Sequence, residues 1–443
     1  MYALYLLIVS ILILVLGVLL HRGTPFNKVW IVLLVTSLPI ASVNEVGGVE
    51  VNFALSDALL VLLLFCALAA GAVNKRPLRL PALAWTMALL AWVLLSLMIG
   101  VSRFGTGTSL PYVIAVVRFA ALFLYLYTVV NLIESSQDVL LFLRTWFLTS
   151  SLVAILGIAG SVLFILTGHR TPLSEGIRAL GTFENPNLFA AYVSLSFFLA
   201  CALLARTTSP RARIFLLLPM TLQLMAIVLS ASRGGVIGFL FGFLVLLLLS
   251  RSFHLRVASG ALVLTPIIII VALSVLAPGL RNSVQPVVDR IVSAQDLESQ
   301  AHVRRYFLWS QAVTFFDANP LFGVGRGNYR IIVAKDRELR LAKTPHNTFL
   351  GILAETGLLG LILFLAILGS FLTALLRWVR SSTDPISRSV AVAFLSALIA
   401  IVIHSLASDL GNFRGLWTLL ALIHRVDLSG PTLFAAHPPI NHP

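Results

Sequence analysis

Charge and cysteine are what this sequence has least of. Only 11% of its 443 residues are Asp, Glu, Lys or Arg, against about 25% in a soluble domain. That composition excludes an ordinary water-exposed globular surface. The two cysteines, Cys66 and Cys201, both sit inside apolar runs. They read as small core residues, and no disulfide framework or zinc spacing is available. A Walker loop, a dinucleotide fingerprint, HExxH and GxSxG are also missing, which removes the commonest nucleotide, zinc-protease and serine-hydrolase chemistries. Acidic residues number only 17, and they form no Asp-rich motif of the kind a metal-dependent glycosyltransferase needs.

What is present is hydrophobic sequence in blocks. Apolar residues make up 59% of the chain, in runs near the roughly 20 residues a helix needs to cross a bilayer. A transmembrane barrel would alternate apolar and polar residues over segments of about 10, and these runs do not. Candidate spans lie at 2–20, 29–43, 51–73, 81–101, 109–132, 138–167, 185–205, 212–231, 233–250, 255–277, 346–376, 387–407 and 411–424. The expected fold is an all-α polytopic membrane protein of about 12 transmembrane helices. The first 20 residues lack a basic start and read as a retained helix.

The net charge of +14 is carried by 27 Arg and only 4 Lys. Much of it reflects the enrichment of Lys and Arg in cytoplasmic loops. Lys75, Arg76 and Arg79, then Arg206, Arg211 and Arg213, then Arg251 and Arg256, then Arg377, Arg380 and Arg388 fall on one side in this count. The opposite, external side then holds 168–184, the Ser232-Arg233 turn and the long loop 278–345. Residues 1–277 are expected to supply about ten helices, 278–345 a small helical external cap, 346–426 the last helices, and 427–443 a disordered tail. Helical patterning over 300–317 (Val303, Phe307, Trp309, Val313, Phe316) supports the cap. The glycines Gly323, Gly325 and Gly327 are read as the turn where the chain re-enters the bilayer.

The chemistry-bearing residues cluster on that external side. His346 precedes an apolar helix with Asn347 beside it, and an imidazole can take and release a proton near neutral pH. Arg304 and Arg305 lie upstream, about 100° apart on a helix, and Trp309 shares the face of Arg305 four residues on. Guanidinium groups there offer charge-assisted, bidentate hydrogen bonds to a phosphate. Arg233 sits between two spans with almost no loop, where a charge is a functional candidate by default. Arg178 lies in a loop that enters the next span through Asn185-Pro186-Asn187, a broken entry of the kind tolerated where it lines a cavity. Arg118, Arg144, Asp57, Glu355 and His404 read as structural pairing residues, with Glu355 the one to watch because it shares the helix that follows His346.

Several motifs, in order, resemble the O-antigen ligase and O-antigen polymerase superfamily: Gly181-Thr182-Phe183-x-Asn185-Pro186-Asn187; Ser230-x-Ser232-Arg233-Gly234; Arg305-x-x-x-Trp309; Asn319-Pro320-Leu321-Phe322-Gly323-Val324-Gly325; and His346-Asn347 running to Glu355-x-Gly357-x-x-Gly360. The resemblance covers roughly residues 170–420. It implies a bacterial inner-membrane enzyme with a periplasmic active site, working with neither metal nor nucleotide cofactor. The donor would be an undecaprenyl-pyrophosphate-linked glycan, embedded among membrane lipids, and nucleic acid would play no part. In a ligase the acceptor is lipid A–core; in a polymerase it is a second lipid-linked glycan.

On that reading His346 is the general base, and Arg233 and Arg305 stabilise the departing pyrophosphate. Arg178, Arg304, Asn187, Asn347 and Trp309 would bind substrate. The single long loop ending at His346 looks more like a ligase than a polymerase. A transporter of lipid-linked glycans is the alternative from another class. It would need polar residues through the full membrane depth and often shows repeated halves; this sequence has neither.

Overall fold

The computed structural model describes residues 26–46, 49–73, 75, 77–104, 110–251, 260, 300–334 and 344–429. The expected first span at 2–20, nearly all of 255–277 and the tail from 430 lie outside the described residues. The chain runs α1 (Phe26–Ser37), β1 (Ala41–Val46), β2 (Val49–Ala54), α2 (Leu55–Val73), α3 (Leu83–Phe104), α4 (Leu110–Leu132) and α5 (Ser136–Thr167). A two-residue ribbon, β3 (Ser174–Glu175) with β4 (Arg178–Ala179), leads to α6 (Pro186–Arg206), α7 (Pro210–Leu229) and α8 (Arg233–Leu249). Then come α9 (Gln300–Ala318), α10 (Asn328–Ala334), α11 (Thr348–Ser381), α12 (Pro385–His404) and α13 (Arg414–Ser429).

Seven of these helices, α3 to α7 with α11 and α12, are long and apolar enough to cross a membrane, and α1, α2 and α8 are shorter apolar helices. The protein is therefore a multi-pass helical membrane protein. Residues 29–54 depart from the expected pattern of span, loop and span. The helix stops at Ser37, and an antiparallel hairpin pairs Ala41 with Ala54 through Val46 with Val49. The alternating β-branched residues around Gly47-Gly48 carry the hairpin signature, which hydropathy averaging hides.

Helix α6 is apolar on every face and lies at the centre of the bundle, with Phe189, Ala190, Phe197 and Phe198 fully buried. Its start is set locally: the Asn185 side chain caps it by accepting from Asn187 N, and Pro186 occupies the first turn, where a missing N–H costs nothing. Against α6 and α12 lies α8, which presents Gly234, Gly238 and Gly242 at four-residue spacing. A Cβ on Gly238 would stand 2.5 Å from the Ala400 carbonyl, and one on Gly242 2.5 Å from that of Ser396. Lipid offers no hydrophobic drive for helix association, so small residues that let backbones approach do that work. This glycine stripe fixes where Arg233, the first residue of α8, sits against the end of α12.

The two ends of the bundle differ in chemistry. At one end arginines satisfy the last carbonyls of helices. Arg388 donates to Val379 O at 2.7 Å, Arg213 to Thr207 O at 2.9 Å and Arg425 to Glu134 O at 3.1 Å. The other end gathers the starts of α6, α8 and α11 and the finish of α12.

Helix α9 covers the patterning expected at 300–317, but its buried face is rotated from the one read in the sequence. Leu308 and Ala312 are buried against Tyr329, Val333 and Ala354, whereas Val313 is 44% exposed. The stripe that meets α10 and α11 is Leu308, Ala312 and Phe315, the last set edge-on against Tyr329 with ring centres 5.5 Å apart.

Candidate functional site

The residues singled out in the sequence fall into two groups. The first is built on the α7–α8 turn. Arg178 donates through Nε to the Ser230 carbonyl at 3.0 Å and through a terminal nitrogen to Glu175 at 3.1 Å. Ser232 caps α8 by accepting from Gly235 N, and its hydroxyl donates to Asn187 Oδ1 at 2.7 Å. The His404 ring stands 3.4 Å from the same hydroxyl. Ala231 takes a left-handed φ of 46°, an uncommon conformation for a residue with a side chain. Arg178, Asn187 and Arg233 are thus brought to one turn, and His404, first read as a pairing residue, joins them.

The second group surrounds His346. That residue also has a left-handed φ, 52°, immediately before the helix start. The Asn347 side chain caps α11, accepting from Phe349 N at 3.0 Å and Leu350 N at 3.1 Å. The Trp309 indole donates to Pro345 O at 2.8 Å, tying α9 to the residue before His346. Arg305 lies one turn ahead of Trp309 on α9; the Arg304 side chain lies outside the described residues. Asn347 and Trp309 therefore shape the turn that presents the imidazole. Backbone held in sparsely populated conformations clusters at working sites, and both motif turns carry it.

One loop joins the groups. Residues 405–413 connect α12 to α13, starting from His404. Thr348 N donates to Ser405 O at 2.9 Å, and the Thr348 hydroxyl donates to Ser408 O at 3.0 Å while accepting from Leu410 N at 2.8 Å. The start of α11, two residues past His346, is thereby clamped to the loop that begins beside Ser232.

A feature that sequence reading missed supports this arrangement from behind. Helix α11 is broken at Gly357 (φ 68°, ψ −170°), and the segment Pro320–Gly327 is hydrogen-bonded into the break. Val324 N donates to Ala354 O, Gly325 N to Glu355 O and Leu358 N to Pro320 O, each at 2.9 Å. The Gly-rich stretch thus docks on α11 and leads into α10. Beside the break, Arg326 donates to the Glu355 carboxylate at 2.8 Å and to Asn412 Oδ1 at 3.1 Å, and Gly327 N donates to Glu355 at 3.1 Å. Glu355 is the counter-charge of Arg326, a residue the sequence reading passed over. On α3, Ser96 donates to both Phe322 O and Glu355 O, and Trp92 stacks on Phe322 with ring centres 4.8 Å apart. Tyr329 donates to Leu308 O at 2.6 Å; burial and the nearby Glu355 carboxylate push its phenol well above the usual range.

Residues 215–365 match a family model described as O-antigen ligase. Over this segment the chain is similar to the O-antigen ligase family. The matched segment runs from α7 to the first half of α11, so it takes in Arg233, Arg305, Trp309 and His346. Arg178, Asn187 and the 405–413 loop lie outside it and reach the site through the hydrogen bonds above. No curated protein matches the chain. Among the described residues no group of three or more His, Cys, Asp or Glu is placed to hold a metal ion.

Proposed function

We propose that this protein transfers a glycan from undecaprenyl pyrophosphate to lipid A–core at the periplasmic face of the inner membrane. The observation that carries the reading is the convergence at one end of the bundle: the His346 turn and the Arg178–Arg233 turn are joined through the 405–413 loop. A metal-free glycan transfer needs a base and fixed positive charge at one membrane surface, and these two turns have that composition.

In the reaction, His346 takes the proton of an acceptor hydroxyl as its oxygen attacks the anomeric carbon. The bond from that carbon to the pyrophosphate oxygen breaks, and the electron pair leaves with undecaprenyl pyrophosphate. Direct displacement inverts the anomeric centre. Negative charge grows on the leaving phosphate, and Arg233 and Arg305 are assigned to meet it, with Arg178 binding the same group. Fixed positive charge in a water-poor site stabilises such a transition state strongly. The helical elements α9 and α10 act as a cap over this end, and Trp309 and Asn347 hold the His346 turn in position.

The test uses purified protein with undecaprenyl-pyrophosphate glycan, with and without lipid A–core. A ladder on lipid A–core is expected, and its absence in His346→Asn, which keeps a side chain tolerant of left-handed φ, identifies the base. A His346→Asn protein that transfers normally overturns the assignment. Lengthened lipid-linked glycan without added core would make the protein a polymerase.

A further inference from the structure

We propose that a cavity between the end of α2, the segment before α3 and the end of α4 binds a phospholipid whose head carries both a phosphate and a primary ammonium. The inference stands apart from the glycan-transfer reading, because this is the end of the bundle away from the candidate site, where Arg425 donates to Glu134 O. The cavity measures about 370 Å³. That is more than a lone phosphate fills and falls within the roughly 300–1,000 Å³ of small-molecule sites. Its two charged lining residues sit at headgroup level: Arg79 lies four residues before the apolar span that begins at Leu83, and Glu134 two residues after the one that ends at Leu132. The polar layer of a bilayer extends roughly 5–7 Å beyond its hydrocarbon core, which such short segments cross.

One wall is apolar. Leu68, Gly71 and Ala72 of α2 line it, and the small pair Gly71-Ala72 leaves room beside the helix. Val61, Phe65, Leu68 and Ala72 recur at the spacing of one helical face. Val61 and Phe65 are each 68% exposed. An apolar track therefore runs from the cavity along α2, and an acyl chain is the ligand group that such a track fits.

The other wall is polar, and its backbone is fixed. Arg79 N donates to Asn131 Oδ1 at 3.0 Å, and the Asn131 amide donates back to Arg79 O at 2.9 Å. Glu134 N donates to the Asp138 carboxylate at 3.0 Å, and Glu134 O accepts from Arg425 at 3.1 Å. Main-chain groups of both residues are thus held by neighbouring side chains, while Arg79, Asn131 and Glu134 line the cavity. The half-buried Arg79 guanidinium makes no hydrogen bond or ion pair among the described residues. Arg425 and His424 lie within its electrostatic range, so Arg79 meets like charge and gains from an anion.

The two lining charges select the head. A phosphate supplies Arg79 with charge-assisted, bidentate hydrogen bonds. A purely anionic head would also confront the Glu134 carboxylate on the same cavity. A zwitterionic head gives each residue its opposite charge. A primary ammonium carries three donors, and a carboxylate accepts several hydrogen bonds, so Glu134 can receive it and keep the contacts it already has. A choline head lacks those N–H groups, which makes it the weaker match.

The experiment is native mass spectrometry of the full chain, purified in detergent, freed of lipid and titrated with single lipids. The probes are dioleoyl phosphatidylethanolamine, phosphatidylcholine, phosphatidylglycerol and diacylglycerol, with undecaprenyl phosphate as a fifth. Wild-type protein is expected to bind phosphatidylethanolamine about threefold to tenfold more tightly than each of the others, by the hydrogen bonds its head adds. Arg79→Gln keeps the backbone bonds to Asn131, so it should unfold at the wild-type temperature without lipid. It is expected to bind phosphatidylethanolamine about tenfold more weakly, through loss of a charge-assisted hydrogen bond. Glu134→Gln is expected to bind phosphatidylethanolamine no better than phosphatidylcholine. The proposal is overturned if Arg79→Gln binds phosphatidylethanolamine like wild type, if wild type binds any of the other three dioleoyl lipids as tightly, or if undecaprenyl phosphate is preferred. Glycan transfer is not the readout, so failure of the transfer reading leaves this test intact.

Discussion

The Trp309 indole donates to the carbonyl of Pro345 at 2.8 Å, so a residue on α9 fixes the backbone one position ahead of His346. His346 itself holds a φ of 52°, a conformation that needs support from its surroundings. Trp309→Phe removes the hydrogen bond and keeps most of the ring. The variant is expected to lose about 1 kcal/mol of stability and to transfer glycan more slowly at saturating donor and acceptor. A rate equal to wild type would show that the indole contact does not position the imidazole.

Arg326 and Glu355 form an ion pair whose side chains are only 12% and 11% exposed. Removing one member strands the other's charge, at a cost of about 3–5 kcal/mol. Glu355→Gln and Arg326→Met are each expected to lower the thermal unfolding temperature sharply. The double variant should be less destabilised than the sum of the two. Simple additivity in that cycle would mean the pair contributes no coupling.

Gly357 breaks α11 with φ 68° and ψ −170°, a region that essentially only glycine occupies. A Cβ there would also meet the Leu321 carbonyl at 2.1 Å. Gly357→Ala is expected to destabilise the protein by at least about 2 kcal/mol and to detach the Pro320–Gly327 segment, read as faster proteolysis between α9 and α11. An alanine variant of wild-type stability would refute the account of the break.

Arg178 spans Ser230 and Glu175 with two different nitrogens. Lysine has one nitrogen and cannot reproduce that fork. Arg178→Lys is expected to fold normally and to reduce transfer about tenfold, or roughly 1.4 kcal/mol in the barrier. Full activity with lysine would mean that only the charge matters, and that the fork to the α7–α8 turn is incidental.

Much of the candidate site could be read from the sequence because its motifs are local. Asn185-Pro186-Asn187 caps a helix, Ser232-Arg233-Gly234 starts one, and His346-Asn347 starts another; each works within a few residues. Arg326 and the break at Gly357 escaped notice because each acquires its role from a partner distant in the chain. The glycine spacing of α8 was present in the sequence, but as a packing signal it says nothing about which helix it meets.

The sequence by itself determined that the chain is a helical membrane protein and where its helix-starting motifs lie, since hydropathy over about 20 residues and capping chemistry depend only on neighbours in the chain. The tertiary structure alone decided that one loop clamps the His346 turn to the Arg233 turn, that Glu355 serves Arg326, and that a cavity opens between α2 and Glu134. Those are contacts between residues dozens to hundreds of positions apart, set by how helices pack, and one-dimensional periodicity carries no record of them.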